Sequence, residues 1–184
     1  MSEKDKKTRK EFTDKFIQDA QDLLKRDKGC RAALRHAAGK TMANAGGTAM
    51  TAFYRLYAIP KFQEEKCFAV VCMMCLWDEK EWKKAEPLIQ GARRRVDVDS
   101  RGGFEKRLQT LLDLSWDEDG YFLAKLCRLV KFCKSKEIVV DASSLLADLL
   151  SWEHESHFVQ KRWVKEFYSY QNKEEQKGAN EHVD

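Results

Sequence analysis

Only two prolines and nine glycines punctuate the 184 residues of this chain. A β sandwich or barrel needs a turn signal every eight to twelve residues or so, and the chain has too few for that. Long helices are what such sparse punctuation permits. With 43% hydrophobic residues there is apolar mass for an ordinary core, and a wholly disordered chain is excluded.

Apolar residues recur at helical spacing in most segments. A first helix is expected from Thr8, where Thr8 and Glu11 have capping-box spacing and Phe12, Phe16, Ile17, Ala20, Leu23 and Leu24 share a face; Gly29 stops it. A second runs through CRAALRHAA, followed by a flexible or tightly packed connection, MANAGGTAM. A third carries Ala52, Phe53, Leu56 and Tyr57 up to Pro60, and a fourth, from Phe62 to about Trp77, is apolar nearly all round. Four more are expected at Phe104 to Ser115, Asp119 to Lys134, Ser143 to Trp152 and His157 to Tyr170. The only β-flavoured stretch, Ile138 to Val140, is too short to build a sheet, and Asp141 or Ser143 behind it is a natural N-cap. The fold class is therefore all-α: two small helical bundles, residues 8–77 and 104–170, joined by a charged connecting region, 78–103, with one short helix, and followed by a polar tail, 171–184.

The longest apolar run, Cys67 to Trp77, is about half of the ~20 residues that cross a bilayer, and the N-terminus has no hydrophobic signal core. A cytoplasmic protein with no membrane partner is expected. Its six cysteines sit mostly inside apolar helical patterns and read as reduced, buried thiols. The Cys72/Cys75 pair has zinc-knuckle spacing, yet every residue from 67 to 77 is apolar and no second pair follows, so no metal is assigned. The string from Trp152 to His157 places its histidines three apart, which is the wrong spacing for a metalloprotease helix, and reads as a loop. Gly46-Gly47 lacks the Lys-Ser/Thr of a phosphate loop. No catalytic constellation and no cofactor site emerge, and the five tryptophans fall on apolar faces where packing is their role.

Charge is distributed unevenly. From Lys28 to Gln63 there is no acid, while Lys28, Arg31, Arg35, Lys40, Arg55 and Lys61 fall in that window. A second acid-free window, Gly120 to Lys136, holds Lys125, Arg128, Lys131, Lys134 and Lys136. At 100° per residue, Leu123, Leu126, Leu129, Val130 and Cys133 take one side of that helix, and positions 125, 128, 131 and 134 take the other. With Arg93 to Arg95, Arg101, Lys106 and Arg107, the chain presents basic ridges suited to a phosphate backbone. The other reading open to such ridges is a helical adaptor that binds acidic protein partners.

The order of "CRAALRHAAG", "AFYRLY", "EKRLQTLL", "LAKLCRLVKFCKSKEIVVD" and "SLLADLLSWEHESHFVQKRWVKEFYSY" resembles the CasB family, the small subunit of the type I-E CRISPR Cascade complex, over residues 12 to 170. The resemblance implies an all-helical, non-catalytic subunit with an N-terminal and a C-terminal bundle. Its implied partners are guide RNA and target DNA within Cascade, the backbone and large subunits, and a second copy of itself. The implied role is to steady the R-loop, at the target strand's path and the displaced non-target strand. Arg35, Arg55, Arg107 and Arg128 match basic family positions; Lys106, Lys131 and Lys134 are added from the helical wheel, Arg31, Lys40 and Lys125 from the acid-free windows, and Arg101 from the basic residues between them. Some relatives carry a further basic residue near the position of Asp113, and two adjacent arginines where this chain has Arg35-His36.

Overall fold

A computed structural model of the chain describes residues 3–56, 63–116 and 119–169. These form ten α-helices and no strand: α1 (Glu3–Arg26), α2 (Lys28–His36), α3 (Met42–Ala45), α4 (Gly47–Phe53), α5 (Glu64–Met74), α6 (Leu88–Arg95), α7 (Val98–Leu112), α8 (Tyr121–Ser135), α9 (Ala142–Leu149) and α10 (Phe158–Tyr168). The all-α expectation is borne out. The expectations for Tyr57 to Pro60, for a helix start at Phe62, and for Tyr170 and the tail lie outside the described residues.

The stretch MANAGGTAM, read as a connection, forms α3 and α4, with Gly46 at φ 84° between them. That left-handed backbone is open to glycine at no steric cost, so one residue breaks the helix without a longer loop. Asp27 separates α1 from α2 and caps the latter by accepting from the Cys30 amide at 2.9 Å. The chain between Trp77 and Phe104 is more ordered than its composition implies. It holds a 3-10 turn at Trp82–Lys84 and then α6, and α7 begins at Val98, ahead of the expected Phe104, because Asp97 caps it by accepting from the Ser100 amide. Gly102 and Gly103 obscured this start, since each costs about 1 kcal/mol against alanine inside a helix. The buried side chains of Phe104, Leu108 and Leu111 offset that cost.

Every residue of α5 from Cys67 to Met74 is buried. A helix that is apolar all round must be enclosed on all sides: α5 packs on α2, α8 and α9, and α1 also packs on α9. The buried core is thus continuous from Phe16 to Phe167. The Ile138 to Val140 stretch builds no sheet, as expected. It makes one parallel bridge to Glu86, whose amide donates to the Val139 carbonyl and whose carbonyl accepts from the Asp141 amide, both at 2.9 Å. Close approach holds this strap against α6: a Cβ on Gly91 would lie 2.6 Å from Ile138 Cγ2.

Four of the five tryptophans are buried, and Trp116 is half-buried. Trp116, Phe122, Trp152 and Trp163 form a chain of rings with centroids 5.4, 5.2 and 5.1 Å apart, which accords with their reading as packing residues. The 152–157 string lies between α9 and α10, as expected of a loop. No helix among the described residues is long and apolar enough to cross a membrane.

Candidate nucleic-acid interface

Helices α7 and α8 pack through their apolar faces, Phe104, Leu108 and Leu111 on α7 and Leu126, Leu129, Val130 and Cys133 on α8 being buried. Helical periodicity then dictates where the cations go. Residues 128, 131 and 134 are exposed and Lys125 half-buried, as the wheel predicts. On α7, Lys106, Arg107 and Thr110 are exposed by the same logic. The two faces meet at a cleft of about 290 Å³ lined by Lys106, Arg107, Thr110, Lys125 and Arg128. Among the described residues its lining is wholly basic and hydroxyl, with no carboxylate.

The cleft cations are oriented without being neutralised. The Arg107 guanidinium donates to the Gly103 carbonyl and lies 4.8 Å from the centroid of Phe132. The Lys125 ammonium stands 4.8 Å over the Tyr121 ring. Such contacts restrict the long side chains while leaving their charge available to an anion. Among the described residues, no carboxylate forms an ion pair with Lys106, Arg107, Lys125, Arg128, Lys131 or Lys40. Thr110, Tyr121 and Phe132 escaped the sequence reading; the signal was the placement of Tyr121, Lys125 and Arg128 at i, i+4 and i+7.

The remaining cations are placed differently. Arg35 donates to the Cys75 carbonyl at 2.7 Å, at the end of α5, and to Asp78 at 3.3 Å. Arg31, with only 18% of its side chain exposed, lies 3.7 Å from the same carboxylate. Arg55 donates to Asp27 at 2.7 Å and to the Cys30 thiol at 3.1 Å. Lys134 donates to the Leu76 carbonyl. Arg101 lies 5.2 Å from the Phe167 ring, and its Nε and Nη2 are buried without a hydrogen-bond partner among the described residues. These residues are not gathered at the α7/α8 cleft. For Arg35→Ala the expected result is a loss of about 1–2 kcal/mol of stability in urea unfolding, because the Cys75 carbonyl loses a charged donor. Its nucleic-acid affinity should keep the wild-type salt dependence.

All six cysteines are buried and unpaired by disulfides. Burial pushes the thiols of Cys67, Cys75 and Cys133 up to about 12, which opposes the thiolate that zinc ligation requires. No group of three His, Cys, Asp or Glu side chains among the described residues is placed to hold a metal ion.

The chain's relatives accord with this architecture. No curated protein sequence matches it. Its fold is similar to a chain of a solved CRISPR RNA-guided surveillance complex, with a TM-score of 0.71 and 21% identity over 92% of this chain and 99% of that one. It is also similar to CasB from Thermus thermophilus, with a TM-score of 0.66 and 23% identity over 85% of this chain and 97% of that one. A CRISPR-associated protein of the Cse2 family, also from Thermus thermophilus, is similar too, at 20% identity and a TM-score of 0.66, with 85% and 97% covered. The model of the family described as CRISPR-associated protein Cse2 matches residues 30–168, a span that takes in α7, α8 and the cleft between them. The resemblance carried by motif order is thus borne out, and the chain belongs to the Cse2 family of CRISPR-associated proteins.

Proposed function

We propose that this chain is a non-catalytic, nucleic-acid-binding small subunit of a CRISPR Cascade surveillance complex, and that it steadies the R-loop through the α7/α8 face. The observation that carries this reading is the cleft between Lys106, Arg107, Lys125 and Arg128, into which no carboxylate of the described residues enters. R-loop formation is a nearly balanced exchange of one duplex for another, so a few contacts to phosphate tip it. Contacts to phosphate alone carry no sequence information, which suits a subunit that serves any guide.

Lys131, exposed one turn beyond Arg128 on α8, extends the track, and Lys40, which has no ion-pair partner among the described residues, offers a further ammonium on the α2 side. Arg31, Arg35, Arg55 and Lys134 are instead engaged with the fold itself, through Asp78, Cys75, Asp27 and Leu76. The partners under this proposal are guide RNA and target DNA, the backbone and large subunits, and a second copy of the chain.

The test has two arms. Complexes assembled with and without the chain should differ in R-loop lifetime, the lifetime being shorter without it. The free chain should bind single-stranded oligonucleotides with a log–log salt slope of about −3 to −4, at ~0.7 per neutralised phosphate for about five cations. Equal lifetimes, together with binding to polyglutamate as tight as to DNA, would transfer the role to an adaptor for acidic proteins.

A further inference from the structure

At the α8 end of the basic cleft stands an aromatic ring that the phosphate reading leaves unused. Tyr121 is the first residue of α8 and is 53% exposed, one of three large hydrophobic side chains exposed to that extent or more among the described residues. Lys125, one turn on, holds its ammonium 4.8 Å over the Tyr121 ring and also lines the cleft. Arg128, a further turn on, continues the same face. The helix rise of 1.5 Å per residue puts these cations about 6 and about 10 Å from Tyr121 along the axis. An exposed aromatic abutting a row of unneutralised cations is the arrangement by which proteins hold single strands: cations track the backbone, and the ring stacks on a base. Phe132, the other ring at this face, is unsuited to that task. It is half-buried, packs against Phe104 at 6.0 Å and lies beneath Arg107.

We infer that Tyr121 is a base-stacking residue, which makes the α7/α8 cleft selective for single-stranded nucleic acid over duplex. The inference rests on the proposed phosphate-binding role of that cleft and adds to it a contact with the bases. In a duplex the faces of the bases are buried against one another and out of reach of the ring, so the ring contributes nothing there. In a displaced strand the base faces are available, and the ring accepts any of them without reading sequence.

The experiment compares the full chain's affinity, by fluorescence anisotropy, for oligothymidylate, for an abasic oligomer of the same length, and for duplex DNA. The abasic oligomer keeps every phosphate and removes every base. The wild-type chain should bind oligothymidylate about tenfold more tightly than the abasic oligomer. Tyr121→Ala should remove that difference while leaving the salt slope unchanged, and Tyr121→Phe should retain it. A wild-type chain that binds both oligomers equally, or a Tyr121→Ala chain that still separates them, overturns the inference while the phosphate reading stands. Failure to bind either oligomer overturns both.

Discussion

Reversing Arg107 and Arg128 to glutamate together is expected to lower the affinity for a single-stranded oligonucleotide by about 100-fold near 0.1 M salt. Both cations line a cleft whose other charged members are Lys106 and Lys125. The double change removes two phosphate contacts and sets two carboxylates against the same strand. Each lost contact takes about 0.7 from the salt slope, so a wild-type slope of about −3 to −4 should fall to about −2. Within an assembled complex the same variant should shorten the R-loop lifetime. The fold should survive, because both side chains are exposed and neither has an ion-pair partner among the described residues. Arg107 loses its stacking on Phe132, about 0.5–1 kcal/mol at an exposed site, and an exposed hydrogen bond to the Gly103 carbonyl that water replaces. Circular dichroism checks the helicity and titration in salt checks the slope; an unchanged slope would remove the cleft from the interface.

The largest stability effect from one polar residue is expected at Asp148. Its side chain, 14% exposed on α9, accepts from Trp163 Nε1 at 2.7 Å and pairs with Arg162. Burial pushes the Asp148 carboxyl above the usual range, against the opposing pull of Arg162 and the Trp163 hydrogen bond. Asp148→Ala leaves the buried indole N–H without its acceptor, a cost of about 1–3 kcal/mol. Arg162 is 45% exposed and can turn to water, so the full ~3–5 kcal/mol of a severed buried pair is not reached. The expected loss is about 2–3 kcal/mol, or about 5–10 °C in Tm for a chain of this size. Asp148→Asn keeps an acceptor for Trp163 and should lose less.

Wild type and the Asp148 variants, which lack the carboxyl, also differ in how their stability responds to pH. A carboxyl with a raised folded-state pKa contributes stability that is fully present below its unfolded pKa of about 3.9 and is lost as pH rises through the folded value. The stability difference between wild type and Asp148→Asn should therefore move against the wild type as pH rises from about 4. Asp97 runs the other way, since Lys136 and Ser100 hold its carboxyl well below the usual range. Its contribution is lost as pH falls below about 4. Buffered calorimetry of Asp148→Asn and of Asp97→Asn, each against the wild type, separates the two contributions; a pH-independent difference between wild type and Asp148→Asn would remove Asp148 from this role.

Much of the cleft was legible before folding. The face of α8 follows from period alone: Leu126, Leu129, Val130 and Cys133 recur at core spacing, which leaves 125, 128 and 131 outside. Its junction with α7 was not, because the placing of Lys106 and Arg107 in one cleft with Lys125 and Arg128 depends on how two helices cross. Nor was the start of α7, hidden by Gly102 and Gly103, whose cost is offset only by packing the residues that follow. Nor does local spacing single out Tyr121, whose place beside the cations shows only in the Lys125 ammonium over its ring.

By itself the sequence determined the helical class, the buried thiols and the side of each helix that carries charge, since these follow from local spacing. Only the tertiary structure decided which charges remain available. The window from Lys28 to Gln63 contains no acid, yet Arg55 is paired with Asp27, one residue outside it, and Arg35 with Asp78, beyond its other end. Pairing depends on separation in space, and the attraction falls with distance and is screened within about 10 Å. Among the described residues, folding brought carboxylates to the first window and none to the cleft at the second.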